Sequence, residues 1–221
     1  LSTCNLKLAT DFMPYWRLAG FYFFYFSVLG ALVPYWGLYL KSVGFSPVDI
    51  GSLTAIFMLS RIVAPNLWAY IADHREDRMR VVRIASFLTV VLFAGVFGGT
   101  GFWWLAFVML SYSFFWNASL PLIEVQVMHH PRHKPGAYGR VRLWGSLGFI
   151  ASVVALGPII DFAGPWWILP SLTLLMVGIW LYSLTLPESE LAGHMEHPGP
   201  FLKTVLRPEV LAFLGACLLM Q

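Results

Sequence analysis

The sequence predicts an all-α membrane protein in which six transmembrane helices form one bundle. The chain is 58% hydrophobic and only 11% charged, whereas ordinary soluble domains carry about 25% charged residues. About 20 apolar residues in a helix span the roughly 30 Å hydrocarbon core of a bilayer. Six stretches reach that length, near 17–40, 48–71, 81–101, 103–126, 141–161 and 165–186.

The first three segments are predicted from their length and from the residues between them. Segment 17–40 is too long for the apolar core of a signal peptide and has no small-residue cleavage site. We therefore expect it to be retained as a spanning helix. Segment 48–71 carries Arg61 in its interior, and a short basic loop separates it from segment 81–101.

The last three segments have interfacial and packing signals. Trp103 and Trp104 open the fourth segment, and Trp166 and Trp167 open the sixth, as expected for tryptophans at a membrane–water interface. The fifth segment carries small residues on one face, which allow helix backbones to approach closely in lipid. These small residues are Gly145, Ser146, Gly148, Ala151, Ser152 and Ala155.

A polar stretch with several Glu, Lys, Arg and Pro residues follows the sixth segment, over residues 187–208. A seventh apolar segment begins at Glu209 and stops at Gln221, about 13 residues on, which is too short to cross a bilayer. We therefore expect a transmembrane bundle over 1–186, a cytoplasmic linker over 187–208, and the truncated start of helix seven over 209–221.

The positive charges predict the orientation of the bundle. Of fourteen Lys and Arg, twelve lie in the N-terminal lead or in alternate connections, and cytoplasmic loops carry such an excess. We predict a multi-pass protein of the inner cell membrane, in contact with the lipid bilayer, with a cytoplasmic N-terminus. The basic residues are thus a topology signal, and no nucleic-acid partner is expected.

Glu124 and Arg142 are the most informative residues, because each is a charge near the edge of an apolar segment. Glu124 lies nine residues before His133 in the intervening loop, and Arg142 lies nine residues after it. Antiparallel helices would hold both at similar depth, where one charge costs roughly 2.5–3.5 kcal/mol. We predict a substrate or ion site that includes Asn117, two helical turns before Glu124. Alternatively, Arg142 anchors to lipid phosphate and Glu124 is its packing partner.

Two further charges are predicted to have a role. Arg61 lies twelve residues before Asp73, about 18 Å along a helix, and hence near mid-membrane. We predict that it lies in a site or gate, with a structural buried ion pair as the alternative. Asp73 ends the second segment, and several arginines follow it. An acid there can hold neighbouring helix ends through charge-assisted hydrogen bonds, which predicts an inner gate; solvated loop charge is the alternative.

No enzymatic, metal or cofactor site is predicted. The sequence has no Gly-x-Ser-x-Gly, no His-Glu-x-x-His and no phosphate loop. The two histidine groups lie in the connections, where the further ligands that a metal needs are absent. They are His129, His130 and His133 in one connection and His194 and His197 in another.

Four stretches of the chain carry a family resemblance. They are Tyr25-Phe26-x-x-x-Gly30-Ala31-x-x-Pro34, the loop with Asp73 and Arg78, Asn117-Ala118-x-x-Pro121-x-x-Glu124, and Tyr138-Gly139-Arg140-Val141-Arg142-Leu143-Trp144-Gly145-Ser146. Together they resemble the major facilitator superfamily, and within it the lactose-permease-like members and the phenylpropionate permease branch. The resemblance covers nearly the whole chain but only the N-terminal half of a twelve-helix transporter.

The resemblance implies a secondary active transporter that moves a small organic solute by alternating access, with proton symport as its coupling. Glu124 and Arg142 would take the positions of the sugar-binding acid and base of the lactose permease, and Asp73 and Arg78 those of its gating loop. Phe149 falls where that family stacks a tryptophan on the sugar ring. The expected substrates are therefore phenylpropionate-like aromatic acids, then oligosaccharides, then nucleosides. A C-terminal six-helix bundle of the same chain would complete the cavity.

Two other classes of protein are rivals to a transporter. A complete six-helix scaffold or assembly factor would not transport, and the unfinished seventh segment argues against it. An intramembrane enzyme would need catalytic groups at membrane depth, and the sequence offers none there.

Overall fold

Six long α-helices account for most of the described structure. The computed structural model describes residues 15–73, 78–128 and 137–186, without the side chains of 69, 72–73, 125–128 and 137. Within these ranges, six helices are long and apolar enough to cross a membrane, which confirms the predicted all-α, six-helix fold class. They are α1 (Tyr15–Ser42), α2 (Pro47–Asp73), α3 (Arg78–Ala94), α4 (Phe102–Met128), α5 (Ala137–Ala163) and α6 (Ile168–Thr185).

Local sequence sets the helix boundaries at one end of the bundle. Gly44 follows α1 with a φ of 101°, a left-handed conformation that glycine adopts without steric cost. Ser46 then caps α2, because its hydroxyl accepts a hydrogen bond from the Asp49 amide, and the Asp49 carboxylate accepts one from the Ser46 amide. Gly164, with a φ of 88°, ends α5 in the same way as Gly44 ends α1.

The helices pack as two sets of three with matching contacts. α1 packs along α5 and α6, α4 packs along α2 and α3, and α3 also contacts α6. In this arrangement α1 corresponds to α4, α2 to α5 and α3 to α6. Exchanging each helix for its counterpart gives the same contacting pairs. Because consecutive spanning helices run in opposite directions, the two sets have inverted topology, an arrangement common in transporters. The sequence shows no visible repeat, so only the packing reveals this relation.

α1 and α5 approach closely at glycines, as the small residues of α5 allow. A Cβ atom on Gly148 would meet the Phe23 carbonyl oxygen, and one on Gly30 would meet the Phe149 carbonyl oxygen. Ser27 Oγ donates a hydrogen bond to the Gly148 carbonyl at 2.9 Å. The α1–α5 contact therefore depends on bare backbone, as small-residue crossings in membranes do.

Burial differs between the helices in a way that positions the site. The spans of α1 and α4 are 56% and 61% buried, whereas those of α2 and α5 are only 22% and 28% buried. Thus α1 and α4 form the core, and α2 and α5 present most of their surface outward. All six helices lie in one compact unit. The predicted linker 187–208 and the start of helix seven at 209–221 lie outside the described residues and remain predictions.

Candidate functional site

The structure brings Glu124 and Arg142 together from two helices. Glu124 lies four residues before the end of α4, and Arg142 lies in the second turn of α5. Arg142 Nη1 and Glu124 Oε1 are 3.7 Å apart, which is within ion-pair distance but too long for a good hydrogen bond. The two charges therefore form a loose pair, as their mirror-image placement in the sequence predicted.

Tyr138 bridges this pair with its hydroxyl. Tyr138 Oη donates a hydrogen bond to Glu124 Oε1 at 3.0 Å and accepts one from Arg142 Nη1 at 2.8 Å. Tyr138 and Arg142 are one helical turn apart on α5, so their side chains share a face. The Arg142 guanidinium carbon also lies 5.8 Å from the centre of the Tyr138 ring, within cation–π range. The sequence analysis named Tyr138 within a family motif but did not predict it as a site residue.

The three groups are accessible rather than sealed in the core. The Arg142 side chain is 55% exposed and that of Glu124 is 27% exposed. Nη1 of Arg142 is held by Tyr138, and no partner within the described ranges contacts Nη2 or Nε. A guanidinium with free donors binds a carboxylate with two parallel hydrogen bonds. The arrangement is thus able to bind an acidic or hydroxylated solute.

Tyr22 is a second residue that the sequence prediction missed. It lies on α1, is fully buried, and is near Glu124, Tyr138 and Arg142. Its hydroxyl forms no hydrogen bond of acceptable geometry with any described residue. A buried hydroxyl without a partner is costly, and this one lies beside the charge pair. In the sequence, Tyr22 is one aromatic among many in α1, so nothing distinguished it from a packing residue.

Arg61 lies on α2, whereas Glu124 and Arg142 lie on α4 and α5. Its side chain is exposed, and within the described residues its contact is with Met58 Sδ at 4.0 Å. The Tyr25 ring on α1 stacks on Trp116 of α4 with centroids 4.7 Å apart, and both side chains are buried. A site or gate role for Arg61 remains a prediction.

Asn117 lies in the contact between α2 and α4. It is 5% exposed, and its amide nitrogen donates to the Ser113 carbonyl at 2.8 Å and to Ser60 Oγ at 3.3 Å. Ser60 Oγ also bonds Ser113 Oγ at 2.6 Å. These bonds place the amide in a helix–helix polar cluster and not beside the Glu124 carboxylate. Its predicted part in substrate binding is untested by this arrangement.

Phe149 and the predicted gating residues complete the set. Phe149 is 37% exposed and lies two turns after Arg142 on α5, so the two side chains share a face. The Asp73 side chain is outside the described residues. Arg78 opens α3 and is partly buried. In the described ranges, no group of three His, Cys, Asp or Glu comes together to hold a metal ion.

Comparisons with known proteins agree with this architecture. The model of the MFS_1 like family matches residues 15–221. A probable 3-phenylpropionic acid transporter of Escherichia coli K12 is 28% identical over 178 residues, which cover 80% of this chain and 47% of the relative. A maltose permease of Geobacillus stearothermophilus is 32% identical over 144 residues, which cover 64% of this chain and 36% of the relative.

Solved structures share the fold. The crystal structure of the nucleoside transporter NupG matches with a TM-score of 0.73 and 21% identity, covering 91% of this chain and 50% of that chain. A mutant of the same transporter gives a TM-score of 0.74 at 19% identity. The chain thus spans about half or less of the length of the relatives it matches. All of them are transporters and not enzymes, in line with the sequence prediction.

Proposed function

Because the chain belongs to the MFS_1 like family, we propose that it is the N-terminal half of a secondary active transporter for a small organic solute. In this proposal the six helices lie in the inner membrane, and the N-terminus is cytoplasmic because the basic residues cluster on that side. A second six-helix bundle of the same chain would pack against this one. The little-buried helices α2 and α5 offer the surfaces for that contact.

The observation that carries the proposal is the accessible Glu124–Tyr138–Arg142 cluster. It combines a carboxylate, a hydroxyl and a guanidinium with free donors at the ends of two apolar spans. We propose that Arg142 binds the acidic group of the substrate and that Phe149, about 10.5 Å further along α5, contacts its ring. This geometry suits an aromatic acid such as 3-phenylpropionate, the solute in the name of one relative.

Alternating access would supply the transport cycle. In this proposal the solute binds between the two bundles, protons drive its uptake, and Asp73 with Arg78 closes the cytoplasmic side. Arg61 would contribute a second positive charge to the cavity or to the bundle interface. Its exposure on the least buried helix supports that place.

An oligosaccharide is the second candidate substrate. A sugar hydroxyl both donates and accepts, and Glu124 and Arg142 together offer an acceptor and several donors. The similarity to a maltose permease supports this option, and the exposed Phe149 ring could pack on a sugar face. The family match argues against a scaffold that does not transport.

The test is uptake by the full-length protein in liposomes with an acidic exterior. We expect uptake of labelled 3-phenylpropionate. The same assay with labelled maltose decides between the two candidate substrates. Glu124→Gln should abolish uptake driven by the pH gradient, because an amide takes up no proton and therefore cannot couple proton entry to solute entry. Asp161→Asn, an exposed acid at the far end of α5, serves as the matched control. Normal transport by Glu124→Gln would contradict the assigned site.

A further inference from the structure

The Tyr138 hydroxyl has its hydrogen-bonding capacity divided between two opposite charges. A phenol has one proton to donate and two lone pairs to accept with. Here the proton is committed to Glu124 Oε1 at 3.0 Å, and one lone pair accepts from Arg142 Nη1 at 2.8 Å. The second lone pair accepts no hydrogen bond of acceptable geometry from the described residues, and the buried Tyr22 hydroxyl lies nearby. The state of Glu124 therefore decides where the Tyr138 proton points.

We propose that Tyr138 is a positioning residue that couples a proton on Glu124 to the binding of a carboxylate at Arg142. The inference rests on the proposed transport function and gives it a specific coupling device within this half of the protein. Its basis is the single hydroxyl that touches both the acid and the base.

When Glu124 is ionised, a carboxylate substrate meets two obstacles at Arg142. The Glu124 carboxylate is 3.7 Å from Arg142 Nη1, so a second negative charge on the same guanidinium is repelled. Tyr138 also gives the arriving carboxylate no hydrogen bond, since its proton is held by Glu124. Binding in this state is therefore weak.

When Glu124 takes up one proton from the aqueous side, both obstacles are removed. The neutral acid no longer repels the substrate, and its new O–H donates to the free lone pair of Tyr138 Oη. Tyr138 keeps its own proton and redirects it to the substrate carboxylate, which Arg142 binds with its remaining donors. One proton thus enters with one carboxylate, and no covalent bond other than the O–H of Glu124 is made or broken.

The groups around Glu124 favour this assignment. Within the described residues, α5 contributes Tyr138 and Arg142, and α1 contributes Tyr22 and Tyr25. α2, which packs along α4, contributes the charged group Arg61. Among these described groups Glu124 is the one carboxylate, and we place the proton there.

The first test compares Tyr138→Phe with wild type in the full-length transporter, using 3-phenylpropionate uptake across a range of pH. Wild-type KM should fall as the pH is lowered. Tyr138→Phe should raise KM about tenfold at low pH, flatten its pH dependence, and change kcat little, because the redirected donor is missing. Tyr35→Phe is the control, since the Tyr35 hydroxyl on α1 bonds the Val153 carbonyl of α5 at 2.8 Å, away from the Glu124–Arg142 pair. A Tyr138→Phe variant with the wild-type pH dependence would overturn the coupling role while leaving the transport function intact.

The second test needs no substrate and so separates this inference from the proposed function. Infrared difference spectra after a pH jump record the C=O stretch of the protonated Glu124 carboxyl, which Glu124→Gln identifies by removing the band. The coupling requires that this carboxyl donates to Tyr138, so the band must shift in Tyr138→Phe and stay in place in Tyr35→Phe. An unshifted band in Tyr138→Phe would overturn the inference even if transport of 3-phenylpropionate is robust. A shifted band would support it even if that solute is not carried.

Discussion

At the scale of single residues, the site depends on polar atoms that form no hydrogen bond with the described residues and so can bind a solute. Arg142 uses Nη1 for Tyr138 and keeps its other donors, while Tyr22 Oη is buried beside the same cluster without a bond. Glu124 and Arg142 were predictable because a charge in an apolar segment is conspicuous. Tyr22 and Tyr138 were not, since tyrosines are common in this aromatic-rich chain and their partners come from other helices.

Tyr22→Phe tests whether the unbonded hydroxyl belongs to the site. Removing a buried hydroxyl without a partner should leave the thermal stability unchanged or raise it, because its desolvation cost of about 1–3 kcal/mol is relieved. If Tyr22 bonds the polar group of the substrate, KM should rise about fivefold, the factor for roughly 1 kcal/mol. Tyr112→Phe is the control. It removes a hydroxyl that is also buried and without a hydrogen bond, but that does not lie beside the Glu124–Arg142 pair. Equal KM values for the two variants would remove Tyr22 from the site.

At the scale of helices, close backbone contact fixes where the site residues stand. α5 carries Tyr138, Arg142 and Phe149, and its position against α1 is set by Gly148 and Gly30. The small residues of α5 predicted such a crossing, but not which helix it would meet. α5 also begins four residues before the predicted segment at 141, because Tyr138-Gly139-Arg140 is too polar to count as apolar although it is helical. Likewise α3 ends at Ala94, where a glycine-containing 3₁₀ turn follows instead of further α-helix.

Gly148→Ala tests the α1–α5 contact. The added methyl would meet the Phe23 carbonyl oxygen, and overpacking against backbone typically costs about 1–3 kcal/mol. We expect a lower Tm in detergent together with weaker substrate binding, because the α5 side chains shift. Gly139→Ala lies on the same helix with open space around its Cβ, and should be neutral or slightly stabilising, since alanine favours a helix interior. Equal Tm values for both variants would show that α1 and α5 can move apart at Gly148 without loss of stability.

At the scale of the whole molecule, the outward faces of α2 and α5 are the surfaces against which the proposed second bundle would pack. Long apolar segments made the six-helix fold predictable from sequence. The inverted-topology correspondence between the two sets of three helices was not predictable. It appears in the helix packing and not in repeated residues. The matched residues cover 47% and 36% of two relatives, which supports the half-transporter proposal.

Reconstitution of this 221-residue chain alone tests that proposal. We expect the vesicles to show no uptake of 3-phenylpropionate or maltose above the protein-free control, because half of the cavity wall is missing. Full-length protein prepared in the same way is the positive control. Robust uptake by the chain alone would contradict the half-transporter proposal.

The central claim, that Arg142 binds the acidic group of the substrate, is tested most directly by calorimetric titration of the full-length protein with 3-phenylpropionate. Arg142→Lys should weaken binding at least about tenfold, because a point charge does not reproduce the two-pronged guanidinium contact. Arg140→Lys, an exposed arginine two residues away, should bind as wild type does. Wild-type affinity in Arg142→Lys would contradict the account and make Arg142 a lipid anchor instead.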